Sequence, residues 1–241
     1  MKVKPYEKVS TIYNGLMNNL DYKSWSNYLL TIADTYINSN GRILELGAGN
    51  CKIANYFSKK YNNYVATDLS HSMLKLSENG HIKKICCDMT ELPIKIKFDF
   101  IFSAFDSVNY LLKQKELLRL FEAVSGLLTE NGVFTFDASL EKNSLNFIIS
   151  KTTEGRYNGS SYRMISKYNN QSRIHYNKFY IWDESGKKYK ETHKEKIYDI
   201  AIYFKLAEKA GLQTLACYDC FDFKDFNQKS KRVQFVMRKI S

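Results

Sequence analysis

Residues 41–70 read GRILELGAGNCKIANYFSKKYNNYVATDLS, and the fold of the whole chain turns on how that stretch is parsed. Ile43 to Leu46 is a short apolar run that ends in Gly47-Ala48-Gly49. A helical pattern follows, and a second apolar run closes on Asp68. Strand, glycine turn, helix, and a strand ending in an acid make the grammar of a nucleotide-binding unit. Two details stand out. Cys51 occupies the place where a third glycine is expected, and an acid, Glu45, sits just ahead of the loop.

Outward from this unit the pattern keeps alternating. Strands are expected at 42–46, 63–67, 82–86, 98–103 and 132–137, with helices at 51–60, 71–78 and 113–128. Strands separated by helices of that length argue for a parallel sheet with helices on both faces. The same grammar returns late in the chain. A helix over 199–210 ends at Gly211, a suitable C-cap, and strands at 212–218 and 232–239 follow. Residues 160–199 between these sections read as three strands turning at YNNQ and DESGK, an antiparallel β-meander inserted into the α/β core. The first 40 residues read as two helices, 6–19 and 22–38, lying over the sheet as a cap. The expected organisation is therefore a helical cap at 1–40, a core at 41–140, an inserted subdomain at 141–198 and the rest of the core at 199–241.

Bulk properties narrow the class. A chain of 241 residues with 44% hydrophobic content can bury a sizeable core as one domain with elaborations. No stretch approaches the roughly 18 consecutive apolar residues of a membrane span. The start, MKVKPYEKVSTIYNG, lacks the apolar region of a signal peptide, so a cytoplasmic location is expected. Five cysteines, odd in number and mostly within apolar runs, argue against a disulfide framework. Cys217 and Cys220 have no second pair or nearby histidines to complete a zinc set, and no metal is expected. The net charge of +11 and the pI near 9.2 raise the question of nucleic acid. Lysines are spread through nearly every segment, however, which reads as solvated faces.

Which nucleotide the loop suits follows from charge. A dinucleotide loop reads GxGxxG, and here Lys52 stands at the last glycine. A pyrophosphate would also be repelled by Glu45. A P-loop fails because no GK[ST] follows. S-adenosylmethionine has no phosphate and carries an ammonium, a carboxylate and a sulfonium cation. Glycine lets the backbone approach such a ligand closely, and a nearby carboxylate becomes favourable. Asp68, 19 residues after Gly49, suits an acid that accepts from both ribose hydroxyls. Asp88, after the run KKICC, can accept from an adenine amino group, with Met89 against the ring.

These segments resemble the class I S-adenosylmethionine-dependent methyltransferases. ILELGAGN resembles their glycine loop, VATDLSHSML their ribose-binding strand end and CCDMTELP their adenine segment. FDFIFSAFDSVNYLL followed by LLTENGVFTFDAS resembles the next strand, helix and strand. The N-terminal IYNGLMNNLDYKSW and the later HKEKIYD and AEKAGL are similar to a bacterial branch of small-molecule enzymes related to the aminosugar N,N-dimethyltransferases. The resemblance implies an α/β, Rossmann-like, seven-stranded, mostly parallel sheet whose last strand is antiparallel. It also implies roles for matching positions. Glu45, Gly47, Ala48 and Gly49 line the methionine half, Asp68 and Leu69 the ribose, and Asp88 and Met89 the adenine, with Met73 a further cofactor-binding position. Ser103, Ala104 and Phe105 lie beneath the cofactor, and Tyr13 and Trp25 close over it. S-adenosylhomocysteine is the implied product. Cys51 departs from the family; at the first turn of a helix a small side chain is expected to fit without positive φ.

A sulfonium methyl is already activated, so in-line displacement needs chiefly proximity and alignment. An ammonium or hydroxyl acceptor must first lose a proton. Candidate bases are His175 and His193, with Tyr13 and Asp106 as hydrogen-bond partners for the acceptor. Aromatics crowd the insert. Strand alternation places Tyr176, Tyr180 and Trp182 on one face, and His175 and Phe179 on the other. A metal-dependent reading has only Asp106 and Asp137 and lacks a third ligand. The [DN]PP[YF] signature of base-modifying enzymes is absent, and SAFD stands in its place. The expected function is methyl transfer to a small-molecule nitrogen or oxygen, by a monomer or homodimer. The alternatives are an RNA or tRNA methyltransferase and an inactive S-adenosylmethionine-binding protein.

Overall fold

The computed structural model describes residues 1–38 and 40–240; Ser39 and Ser241, members of the first and last expected segments, lie outside it. A first sheet has seven strands: β1 (Ile43–Leu46), β2 (Tyr64–Asp68), β3 (Lys83–Cys86), β4 (Phe98–Ser103), β5 (Leu128–Ser139), β10 (Leu212–Asp219) and β11 (Arg232–Lys239). The intervening strands β6 (Lys151–Tyr157), β7 (Ser160–Asn169), β8 (Ile174–Trp182) and β9 (Lys188–Lys196) form a separate antiparallel sheet. The seven-stranded order is β10-β11-β5-β4-β1-β2-β3, parallel from β5 to β3, with β11 antiparallel to both its neighbours. The chain changes direction across the sheet between β1 and β4, so ligands are expected beyond the carboxyl ends of those two strands.

The central strands are apolar on both faces because helices cover both. Phe100 and Phe102 of β4 join Ile43, Phe57 and Val236 on one side. Ile101 joins Leu44, Leu46, Phe134 and Phe136 on the other. The helix Tyr22–Tyr36 supplies Leu29, Ile32 and Ala33 to the first layer. The helices Gln114–Leu127 and Ile200–Lys209 supply Leu120, Phe121, Tyr203 and Leu206 to the second. Gly211, with φ 73, ends the last of these as a left-handed cap.

Three expectations are corrected. The meander has four strands, because Lys151–Tyr157 pairs with β7 ahead of the three foreseen. The overlooked signal is Asn158-Gly159, with φ 44 and 69, a two-residue hairpin turn that needs positive φ at both positions. The helices expected at 51–60 and 71–78 shrink to Ala54–Phe57 and His71–Leu74. The first cap helix is a 3-10 turn, Val9–Ile12, running into Tyr13–Leu16. The alternation expected along β8 holds: His175 and Phe179 are buried, and Tyr176, Tyr180 and Trp182 lie on the other face.

Candidate active site

Four strand ends converge at the switch point. At the end of β1, Gly47 and Gly49 take φ 70 and 55, and a Cβ on Gly47 would meet Ser107 Oγ at 2.8 Å. Glycine is required there for conformation and space together. Cys51 also has a positive φ, 59, which overturns the expectation that it fits without one. The helix here begins only at Ala54, so residue 51 belongs to the turn. Its side chain is fully buried in the aromatic layer, and burial pushes the thiol up to about 12.

Asp68 stitches the loop together. Its Oδ2 accepts from the Gly49 N–H at 2.8 Å, and its Oδ1 accepts from the Ser70 N–H at 2.7 Å. Each oxygen keeps a second lone-pair direction for a ligand hydroxyl. Desolvation raises its pKa. Glu45 lies beneath the loop, 3% exposed, where its Oε2 accepts from the Tyr64 hydroxyl at 2.5 Å. Burial lifts its pKa to about 8, against an ordinary 4.5. Asp88 is exposed, with Oδ1 accepting from both donors of Thr90. The Met89 methyl approaches Gly47, and the Met73 methyl approaches Gly49. Ala48 and Met73 are buried, and Leu69 is 72% exposed.

β4 ends in a strained turn. Ser103 and Ala104 are buried, and Phe105 and Asp106 both adopt left-handed backbone, φ 58 and 49. Two such residues in a row cost of order 1–3 kcal/mol each. The turn is held by Asp137, whose Oδ2 accepts from the Asp106 N–H, and by Arg232, which bridges the Asp106 and Asp137 carboxylates. The two acids weighed as metal ligands are thus joined by a guanidinium. Trp25 packs on Phe105 at 4.5 Å and on Phe221 at 4.5 Å.

The meander closes the site from the other side. His193, 2% exposed, places Nε2 at 3.1 Å from Glu191 Oε2 and Nδ1 at 3.2 Å from the Tyr110 hydroxyl. Tyr110 in turn lies 2.7 Å from the Tyr6 hydroxyl. Glu191 also accepts from the N–H groups of Tyr6, Lys8 and Val9, which anchors the N-terminal segment to β9. Tyr13 packs edge-on to Tyr6 at 6.1 Å. Tyr6 stands within electrostatic reach of Asp68, Asp106 and Glu195. Burial first, and Asp106 second, raise the pKa of Glu195. His175 is apart from this group: it meets Ser144 Oγ at 3.0 Å, and burial lowers its pKa.

Sequence reasoning missed Tyr6, Tyr110, Glu191, Glu195 and Arg232. Arg232 is 126 residues from Asp106 and Tyr110 is 83 from His193, so no local pattern could pair them. The alternation KYKETHKEK was the available signal for Glu191 and Glu195, since it sets both on the face of His193.

The residues fit a sulfonium nucleoside. Ser103 Oγ and Asp137 Oδ1 are buried near the strand ends without a partner among the described residues. Asp68 is bonded to the loop at the Gly49 N–H, where its carboxylate would repel a phosphate. The sheet order, the glycine loop on the central strand and the acids after the next two strands are the arrangement of the class I methyltransferase fold.

Known proteins agree. Residues 43–132 match the model of the methyltransferase domain family. The chain is similar to YqeM of Bacillus subtilis (strain 168), which carries a methyltransferase name, at 24% identity over 243 residues and 97% of each chain. It superposes on an S-adenosylmethionine-dependent methyltransferase from Clostridium acetobutylicum ATCC 824 with a TM-score of 0.82 and 25% identity, covering 98% and 99% of the two chains. CalS10, an amino pentose methyltransferase from Micromonospora echinaspora solved with S-adenosylmethionine bound, shares the fold at a TM-score of 0.74 and 16% identity over 95% and 96%.

Proposed function

We propose that the chain methylates a nitrogen or oxygen nucleophile on a small molecule, with an amine as the favoured acceptor. The observation that carries this reading is the company around Tyr6: the carboxylates of Asp106 and Glu195 within electrostatic reach, and the hydrogen-bonded series Tyr110–His193–Glu191. Carboxylates beside packed aromatic rings, here Tyr6 with Tyr13 and Tyr110, favour a cation. The likeness to CalS10 supports the same class of acceptor. Residues 141–198 then serve as the acceptor-side subdomain, the first 40 as the cap, and 41–140 with 199–241 as the cofactor-binding core.

When bound, S-adenosylmethionine supplies a methyl group already activated by its sulfonium. The loop from Glu45 to Gly49 holds the methionine half, Asp68 the ribose and Asp88 with Met89 the adenine, while Trp25 and Phe105 exclude water. Asp106 and Glu195 orient the acceptor nitrogen, and Tyr13 closes the space beside it. The proton leaves along hydroxyls. With Nε2–H of His193 donating to Glu191, Nδ1 accepts from Tyr110 and Tyr110 accepts from Tyr6, so the Tyr6 oxygen is free to accept from the acceptor. His193 acts through Tyr110, as a positioning residue.

Calorimetric titration with S-adenosylmethionine, S-adenosylhomocysteine and NAD tests the cofactor; the first two should bind and NAD should not. Tyr110→Phe should lower kcat at least about tenfold on an amine acceptor, most at low pH where the amine is protonated, with cofactor affinity unchanged. Retained kcat across the pH range would remove the relay. A panel on which only alcohols turn over would overturn the amine assignment.

A further inference from the structure

The meander has a second face that the reaction does not use. Strand alternation sends Tyr189, Glu191, His193 and Glu195 of β9 inward, and Lys188, Lys190 and Lys194 outward. The ladders carry the same parity across the sheet. Lys190 is opposite Tyr180, Lys194 opposite Tyr176 and Lys188 opposite Trp182. Arg163 and Lys167 of β7 lie opposite Tyr180 and Tyr176 from the other side. All five of these cations, and Lys178 of β8, are exposed. Among the described strand residues of this face, the single acid is Glu154, which is bonded to Arg163 at 2.5 Å. The scattered lysines of the sequence therefore gather into one cationic sheet face, with the acids of the same strands turned to the other side.

Rings are set among the charges. The Lys188 ammonium lies 5.0 Å from the Tyr180 ring centre and 5.1 Å from that of Trp182. Lys190 lies 5.6 Å from Tyr180 and Lys194 5.8 Å from Tyr176. Tyr180 and Trp182 are two residues apart on one strand, about 6.6–6.8 Å along it.

We propose that this outer face docks single-stranded nucleic acid. Rows of ammonium groups neutralise successive phosphates, and ring faces between them receive unstacked bases. A duplex hides its bases from such rings, and an acidic protein or a sulfated polymer has none to stack. A bilayer surface would call for protruding aliphatic side chains, whereas the two aliphatic residues of this face, Ile165 and Ile174, are half-buried between exposed cations. The docking site stands apart from the acceptor space, on the opposite face of the same strands. It goes beyond the methyl-transfer reading and leaves the acceptor unchanged.

The test is fluorescence anisotropy with a labelled oligouridine of about twenty nucleotides, read across a salt series. Binding should weaken with salt at a slope of about −0.7 per phosphate contacted. Charge reversal of Lys188, Lys190 and Lys194 together should weaken binding at least about tenfold and flatten that slope. Reversal of the exposed Lys205 and Lys209, on the far helix, should change it less than about twofold. Tyr180→Ala with Trp182→Ala should lose roughly tenfold on oligouridine and leave heparin binding unchanged. In a chain carrying Trp25→Phe, shown to be folded by thermal melting, oligouridine should quench the remaining indole, Trp182; cofactor titration and thermal melting report that the other variants are folded. The proposal is overturned by no binding at low salt, by equal loss in the Lys205 and Lys209 control, or by preference for duplex. It is equally overturned by a ring variant that loses heparin and oligouridine alike, or by an unquenched Trp182.

Discussion

Cys51 sets a packing gain against a backbone cost. Its φ of 59 is one that L-residues adopt at a penalty of about 1–2 kcal/mol, yet its side chain is fully buried. Truncation to alanine keeps the penalty and discards the sulfur, whereas glycine removes both. Cys51→Ala should therefore be less stable than Cys51→Gly by about 1 kcal/mol in urea unfolding, the reverse of the usual order in regular structure. The opposite order would mean that the turn carries no strain. Asp68 is tied to the loop by Gly49 and Ser70 and keeps lone pairs for a ligand. Asp68→Ala should weaken S-adenosylmethionine binding by about 1.5–3 kcal/mol in calorimetry. Affinity equal to that of the parent would refute its role at the ribose.

The elements join through a few buried polar residues. Asn109 donates to the Lys196 carbonyl at 2.8 Å and accepts from the Ser139 N–H at 3.0 Å, locking the turn after β4 to β5 and to the meander. Glu191 does the same for the N-terminal segment, which also pairs with β9 at Lys190. Glu191→Ala leaves three N–H groups and His193 without their acceptor. It should cost about 3 kcal/mol and raise hydrogen exchange over residues 3–12, with the α/β sheet unaffected. Uniform exchange changes across the chain would show that the anchor is not local. The same contacts mean that the meander holds Tyr6 and His193 in place.

At the scale of the whole molecule, the raised carboxyl at Glu45 links folding to pH. The folded group titrates near 8, against 4.5 in an open chain, so between those values the native state keeps a proton that the unfolded chain has lost. Stability of the cofactor-free chain should fall as pH rises through that window. Glu45→Gln removes the linkage, and its Tm should drop by at least roughly 3 °C less than the parent's between pH 5 and pH 8. Parallel Tm curves would mean that Glu45 is ionised as folded. The α/β sheet, its strand ends and the glycine loop were legible in the sequence. Runs such as FDFIFS, apolar on both faces, and the turn chemistry of Gly47 and Gly211 are local signals. The fourth meander strand was written there too, in Asn158-Gly159. The positive φ at Cys51 was not, because where a helix starts depends on how the turn before it packs. Periodicity and turn residues thus determined the elements and the face on which each side chain falls. The tertiary structure alone decided which faces meet: Arg232 with Asp106 and Asp137, Tyr110 with His193, and the cations of three strands on one surface. Those pairings span 83 to 126 residues, and a local pattern carries no information about contacts that only chain closure creates.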